Sequence, residues 1–361
     1  MNKNSKIYIA GHRGLVGSAI LKNLKSKGYY NFIYKTHKEL DLTDPLQVAS
    51  FFGKEKPEYV FLAAAKVGGI VANNVYRADF IYDNLMIQNN VIYHSWKHGV
   101  KKLLFLGSTC IYPKNAPQPM VEDSLLTDVL EYTNEPYAIA KIAGIKMCES
   151  FNIQYNTNFI SVMPTNLYGP NDNFDLEKSH VLPALIRKIH LGKSLENNNW
   201  DAIRKDLNHL PIENIDGNAS KENILTILNK YGIKKSESKV SIEIWGSGHP
   251  MREFLWSEDM ADASVFIMEN RDFKDCVEDT KEIRNSHINI GTGIDISIKD
   301  LAFLIKKEIG FIGDFYFNTE KPDGTMKKLT DVSKLNSLGW KHKVEVQEGI
   351  HKMYSWYKDN L

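Results

Sequence analysis

The chain has 361 residues, 43% of them apolar and 25% charged, with a formal net charge of +1. That is enough chain for one large or two moderate domains with a real core, and the balanced charge gives no electrostatic reason to expect nucleic acid or an anionic membrane surface as a partner. The longest apolar stretch, Tyr59 to Ala72, is short and carries Lys66, while Cys110, Cys148 and Cys276 have no zinc-like spacing and are odd in number, so a membrane span, a metal site and a disulfide framework are not expected.

From the N-terminus, Lys6 to Ala10 is a short β-rich run that leads into Gly11-His-Arg-Gly-Leu-Val-Gly17. No apolar leader precedes it, so a cytoplasmic protein is expected. Leu15 to Lys27 then reads as a helix and Asn31 to Lys35 as a second strand. Glu58 to Ala65 is a continuous apolar run of the kind a strand covered on both faces shows. Asp79 to His98 is a long helix, Lys101 to Gly107 a strand, Tyr137 to Asn152 a helix and Asn158 to Met163 a strand. This alternation predicts an α/β fold with a doubly wound parallel sheet over residues 1–166. Beyond Tyr168 the pattern loosens into a smaller C-terminal substrate-binding region, 167–361, with a helix at Val181 to His190 and a strand at Val240 to Trp245; part of 241–300 is expected to return to the first domain. Residues 195–240 read as an ordered insertion. Trp200, Ile203 and Leu207 mark one helix there, and Ser220 as cap with Gly232 as stop brackets another.

Three groups along this scaffold carry chemistry. The spacing Gly11-x-x-Gly14-x-x-Gly17 between a strand and a helix is that of a dinucleotide loop, in which glycine permits close backbone approach and the helix N-terminus attracts a pyrophosphate. At the end of the second strand, where an acid would select NAD, the chain has Tyr34-Lys35-Thr36-His37-Lys38, with Arg13 in the loop. Cations favour a 2′-phosphate, so NADP is expected. Ser108 follows the Lys101 to Gly107 strand at its carboxyl end, where open α/β sheets bind ligands. Tyr137 and Lys141 stand at i and i+4 behind Pro136, on one helical face. An ammonium beside a phenol is expected to draw its pKa down towards working pH.

Glycine loop, Ser and Tyr-x-x-x-Lys in that order resemble the extended short-chain dehydrogenase/reductases. Further segments resemble the GDP-L-fucose synthase family: Leu62 to Asn74, Ser108-Thr-Cys-Ile-Tyr-Pro113, Asn134 to Lys141, Met163 to Pro170, Gly246 to Phe254 and Lys321-Pro-Asp-Gly-Thr325. The likeness runs over essentially the whole chain outside 195–240. It implies a Rossmann-type domain and the family's activity, in which GDP-4-keto-6-deoxy-mannose is inverted at C3 and C5 and its C4 ketone reduced with NADPH. By that resemblance Ser108, Tyr137 and Lys141 are the reductase triad, and Cys110 and His180 the epimerisation acid/base pair. The cofactor site would be lined by Gly11, His12, Arg13, Gly14, Leu15, Val16, Gly17, Lys35, His37, Leu106, Gly107, Lys141, Pro164, Thr165, Asn166, Leu167 and His180. Lys188, Trp245, Arg252 and Asp323 would contact the GDP-sugar. Lys188 departs from the family, which usually has Arg there; this keeps the charge and loses the bidentate fork.

The resemblance also implies a homodimer built on a four-helix interface, with Asp79 to His98 and Ile139 to Asn152 as the helices and Phe80, Leu85, Val91, Cys148 and Phe151 as apolar positions needing burial. Two alternatives stay open. One is a reductase-only enzyme on a GDP-4-keto-heptose whose epimerisation is done elsewhere. The other is a non-catalytic dinucleotide sensor, which would ordinarily have lost the Tyr or the Lys. A dehydratase is disfavoured, because that branch carries Thr-Asp-Glu where this chain has Ser108-Thr109-Cys110.

Overall fold

Ile7–Ala10 (β1), Tyr59–Leu62 (β3), Lys102–Leu106 (β4) and Phe159–Pro164 (β5) are almost wholly buried. Such strands cannot alternate apolar and polar faces; they need helices on both sides, and they receive them. The structure is a computed structural model that describes residues 1–237, 239–277 and 282–361. Residue 238, inside the expected insertion, and residues 278–281, inside the segment expected to return to the first domain, lie outside the described residues.

The described chain divides into two compact units. The first comprises Met1–Asn171, Glu253–Ile294 and Leu329–Val344. Its centre is a six-stranded sheet that also takes in Phe32–Ile33 (β2) and Ile288–Ile290 (β10), in the order β10-β5-β4-β3-β1-β2. Every pairing in it is parallel. The helices are Leu15–Ser26 (α1), Pro45–Glu55 (α2), Ile70–Val75 (α3), Arg77–Lys97 (α4), Glu135–Tyr155 (α5), Ser257–Asn270 (α9) and Ser333–Ser337 (α11). One face of the sheet packs Ile9, Phe61 and Leu104 with Ile20 and Leu24 of α1 and Met260 and Val265 of α9. The other packs Tyr8, Val60, Leu103 and Phe105 with Phe52 of α2, Val91 of α4 and Ile145 of α5. This is the doubly wound architecture read from the sequence. Asn166–Tyr168 (β6) pairs in parallel with the end of Met251–Trp256 (β9) beside the main sheet.

β2 is two residues long, against the five expected, because only Ile7 and Tyr8 of β1 meet it. The chain turns away at Tyr34 to form the capped turn in which Thr36 N and Oγ1 donate to Glu39. The strand order reverses between β1 and β3, so the crevice at their carboxyl ends is the switch point at which such sheets bind ligands.

The second unit comprises Asp172–Arg252, Asp295–Lys328 and Glu345–Leu361. It holds Val181–Glu196 (α6), Trp200–His209 (α7), Lys221–Lys230 (α8), Ile298–Ile309 (α10) and Val346–Asp359 (α12). Asp314–Asn318 (β12), Val240–Trp245 (β8) and Ile233–Lys235 (β7) form a three-stranded sheet; Asp295–Ser297 (β11) and Lys327–Lys328 (β13) are short. The segment expected to be an insertion carries α7, α8 and β7. It is tied down by Ile203, Leu207, Ile224 and Leu228, all fully buried, and by Asp206. The Asp206 carboxylate accepts from Arg187 Nε at 3.0 Å and Nη2 at 2.8 Å and from the Tyr357 hydroxyl, which fastens α7 to α6 and α12. Among the described residues no helix is long and apolar enough to cross a membrane.

Candidate active site

In the first unit, the turn after β1 is built for close backbone approach. Gly11 has φ +86°, and a Cβ there would lie 2.8 Å from Ala64 N. A Cβ on Gly17 would lie 2.1 Å from Gly11 O, and Gly14 N donates to Gly11 O at 3.0 Å. Gly14 caps α1 without a side chain, so the amides of Leu15, Val16 and Gly17 open the helix at the crevice with no intrahelical acceptor. A pyrophosphate fits this cradle, since the glycines leave the backbone bare and the amides supply donors. His12 stacks on Tyr34, ring centroids 4.7 Å apart. His37 Nδ1 lies 3.8 Å from Asp41, and the charges of Lys35 and Arg13 help hold the Glu39 carboxyl below its usual range, behind the larger effect of its bonds from Thr36. Glu39, which the sequence reading passed over, therefore partly balances Lys35 and Arg13, two of the cations expected to meet a 2′-phosphate.

Ser108 follows Gly107 at the end of β4. It caps the tight turn Thr109–Ile111, its Oγ accepting from Cys110 N at 3.4 Å. Tyr137 and Lys141 lie in the first two turns of α5. Lys141 is buried and donates to Leu106 O at 2.8 Å, with Nζ 4.9 Å from the Phe105 ring centroid and 5.7 Å from that of Tyr137. Burial lowers the Lys141 pKa to about 8. The Tyr137 phenol goes the other way. Burial, with a smaller contribution from the charge of Cys110, raises its pKa, where the i,i+4 ammonium was expected to lower it. The difference has a simple cause: Lys141 is directed to a backbone carbonyl at the end of β4, and desolvation outweighs its field at the phenol. At neutral pH Tyr137 is a hydroxyl donor. Cys110 is buried on the same turn as Ser108.

Thr165 N donates to Ile290 O at 3.0 Å, and Asn166 Nδ2 to Glu253 O at 2.8 Å, which fixes the Pro164–Leu167 segment after β5. Glu253 is fully buried, and its carboxylate accepts from Thr292 N, Gly293 N and Thr330 N at 2.6, 2.8 and 2.9 Å. Glu253 lies within the Gly246–Phe254 motif, whose sequence alone gives it no role. The Phe80 ring, read from the sequence only as an apolar position needing burial, meets Tyr137 edge-on at 6.3 Å, and Gln88, which no motif marks, donates to Ala140 O at 2.6 Å and ties α4 to α5. A buried polar residue on a long helix would have been the signal for Gln88. Phe80, Val91 and Cys148, expected to wait for a partner subunit, are instead core residues of this chain, 2%, 0% and 0% exposed. The exposed large hydrophobic residues of α4 and α5 are Tyr82, Tyr93, Ile139, Ile153 and Tyr155.

The second unit carries His180 and the four residues expected to meet a GDP-sugar. His180 opens α6, and desolvation lowers the pKa of its imidazole, which favours the neutral ring. Lys188, two turns on, donates to Glu243 O at 2.9 Å beneath Gly232, and burial lowers its pKa to about 8. Trp245 ends β8, and Asp323 lies beside the residue that follows it: a Cβ on Gly246 would meet Asp323 Oδ1 at 2.3 Å, and one on Gly324 would meet Arg252 Nη2 at 3.1 Å. The Trp245 ring is 63% exposed, with Lys321 Nζ 5.3 Å from its centroid. Arg252 is held by Met251 O and Thr325 O at 2.7 and 2.6 Å. Asp323 accepts from Ser247 N and Oγ at 2.8 and 2.7 Å. Lys321 and Ser247 are additions to the residues read from the sequence, both within quoted motifs.

Comparison with known proteins places these features in a family. The family model described as NAD dependent epimerase/dehydratase family matches residues 7–208 and 212–291. The "Putative GDP-L-fucose synthase 2" of Arabidopsis thaliana is 49% identical, covering all of this chain and 94% of its own. The crystal structure of a GDP-6-OMe-4-keto-L-xylo-heptose reductase from Campylobacter jejuni is 51% identical with a TM-score of 0.93, over 100% of this chain and 99% of that one. The GDP-mannoheptose C4 reductase from Campylobacter jejuni with NADP bound is 50% identical with a TM-score of 0.87, over 99% of each chain. This chain therefore belongs to the NAD dependent epimerase/dehydratase family, in the branch that holds the GDP-L-fucose synthases.

Proposed function

We propose that the protein reduces the C4 ketone of a GDP-4-keto sugar with NADPH and epimerises C3 and C5 of the same ring. The observation that carries the reading is the buried Lys141 ammonium, fixed on Leu106 O one helical turn from the Tyr137 phenol, with Ser108 capping the turn that follows β4. Tyr137, kept protonated by burial, donates its proton to the C4 oxygen, and Ser108 holds that oxygen by a hydrogen bond. Lys141 places positive charge near the phenol, which favours the phenolate left behind. The glycine loop, the first-turn amides of α1 and the Pro164–Leu167 segment would hold NADPH, which when bound supplies the hydride for C4. Cys110 and His180 exchange protons at carbons alpha to the ketone, where acidity comes from the enolate. Arg252 offers a fork to the diphosphate, and the open face of Trp245 suits stacking by the guanine base. Two copies are proposed to associate through the outward residues of α4 and α5.

The likeness to the heptose reductases supports a second reading, in which the ring is a heptose and only the reduction occurs here. Purified protein given GDP-4-keto-6-deoxy-mannose or a GDP-4-keto-heptose with NADPH in deuterated water separates the two. Epimerisation deposits deuterium at C3 and C5, and Cys110→Ala removes it while reduction persists. Reduction without label, unchanged by Cys110→Ala, selects the second reading. Absence of NADPH oxidation with both sugars would refute both.

A further inference from the structure

The turn Ser108–Tyr112 carries two of the proposed reacting groups, yet it is only one turn long. Ile111 N bonds Ser108 O at 3.3 Å, Tyr112 N bonds Thr109 O at 3.4 Å, and the capping bond to Ser108 Oγ is also 3.4 Å. All three are long for hydrogen bonds, so the turn does not hold itself rigid. What its far end has is the Tyr112 side chain, 2% exposed, whose hydroxyl enters a buried polar cluster at the start of β10, formed by Asn289 on the strand and His287 just before it. That hydroxyl lies 2.5 Å from Asn289 Oδ1 and 3.1 Å from His287 Nε2. Both partners are fully buried.

Donor counting fixes the cluster in one arrangement. Asn289 Nδ2 is used twice, to Met120 O at 3.0 Å and Asp331 O at 3.2 Å, so Asn289 Oδ1 faces Tyr112 as an acceptor. Tyr112 therefore donates to Asn289, and its oxygen accepts from His287 Nε2–H. Burial, with the nearby charges of Lys334 and Lys146, lowers the His287 pKa to about 3, so the ring is neutral and Nδ1 bears no proton. Asn289 itself is held by its own amide, which donates to Glu122 Oε1 at 2.9 Å, and by β5, where it pairs with Met163.

We propose that Tyr112 is a positioning residue that roots the Ser108–Cys110 turn on β10 through Asn289 and His287. It touches no substrate; it sets where the Ser108 hydroxyl and Cys110 thiol stand relative to Tyr137. The inference rests on the proposed reading only for its kinetic consequence, since the placement of the turn has a readout that needs no turnover.

Tyr112→Phe removes the hydroxyl and little volume. The other two cysteines, Cys148 and Cys276, are buried elsewhere in the first unit and report general opening. Alkylation by iodoacetamide, mapped by mass spectrometry, should accelerate at Cys110 by fivefold or more in Tyr112→Phe, with Cys148 and Cys276 unchanged. With NADPH and sugar nucleotide, kcat should fall about tenfold to a hundredfold at KM within twofold, the size expected of a small misplacement of reacting groups. His287→Gln, whose amide can donate to the same hydroxyl, should keep wild-type labelling and kcat within threefold, while His287→Leu should behave as Tyr112→Phe. Tyr29→Phe, which removes another buried hydroxyl of the first unit, bonded to Glu269, should change neither. Equal acceleration at all three cysteines, or an unchanged Cys110 rate in both Tyr112→Phe and His287→Leu, would overturn the proposal. A protein with no turnover in the wild type would count against the reading of the reaction and leave the labelling test decisive for Tyr112.

Discussion

Tyr137 and Lys188 carry the two residue-level consequences that follow from burial. A phenol raised by desolvation keeps its proton through the neutral range, which suits a donor to a forming C4 alkoxide. Tyr137→Phe is expected to lower kcat by ~10²–10⁴-fold with NADPH affinity unchanged, read by turnover and by equilibrium binding. Lys188 is a buried ammonium whose pKa is lowered to about 8. A lowered pKa means the charge is present below that pH and is lost above it. If Lys188 meets the diphosphate, KM for the sugar nucleotide should be flat below pH 8 and climb above it, approaching tenfold per unit. An arginine stays charged throughout, so Lys188→Arg should flatten that rise in KM. Lys141, whose pKa burial also lowers to about 8, should lose its charge over the same window, so kcat should fall above pH 8 in wild type and variant alike. A wild-type KM independent of pH across this window would remove Lys188 from the site.

At the scale of elements, the glycine loop and the α4–α5 pair make separate predictions. Gly17→Ala puts a Cβ 2.1 Å from Gly11 O, so the loop must open; overpacking of this kind costs ~1–3 kcal/mol, and NADPH binding should weaken about tenfold with the circular-dichroism spectrum intact. Tyr82 and Ile153 stand 63% and 54% exposed on α4 and α5, and the proposed dimer would cover them. Light scattering should give twice the chain mass at micromolar concentration, and Tyr82→Glu with Ile153→Glu should give the single chain. The strands β1, β3, β4 and β5 were legible because parallel strands covered on both faces read as unbroken apolar runs. α5 was legible from Pro136 at its start, though it begins at Glu135 and runs on to Tyr155. β2 was over-read, because strand propensity at Tyr34 does not reveal where its neighbour ends. The burial of Phe80, Val91 and Cys148 was misread for a related reason: an apolar face on a helix shows that something covers it, not whether the cover is this chain or another.

Taken as a whole, the chain combines a parallel sheet with its dinucleotide loop, Ser108, Tyr137 and Lys141 in one unit, and a second unit bearing His180, Lys188, Trp245, Arg252 and Asp323. The motifs were visible in the sequence because each packs several special residues into a few positions. The tertiary ties were not. The Arg187–Asp206–Tyr357 cluster and the Tyr112–Asn289–His287 cluster join residues far apart in the chain, and no local pattern marks them. Dehydratases and epimerases of this family share the fold, so the defining claim is net reduction at C4. NADPH bearing deuterium at the transferable position, incubated with a GDP-4-keto sugar, tests it by NMR of the product. The account predicts deuterium at C4 with NADPH and sugar consumed in equal amounts; product formed with no label at C4, or with no net NADPH oxidation, would contradict it.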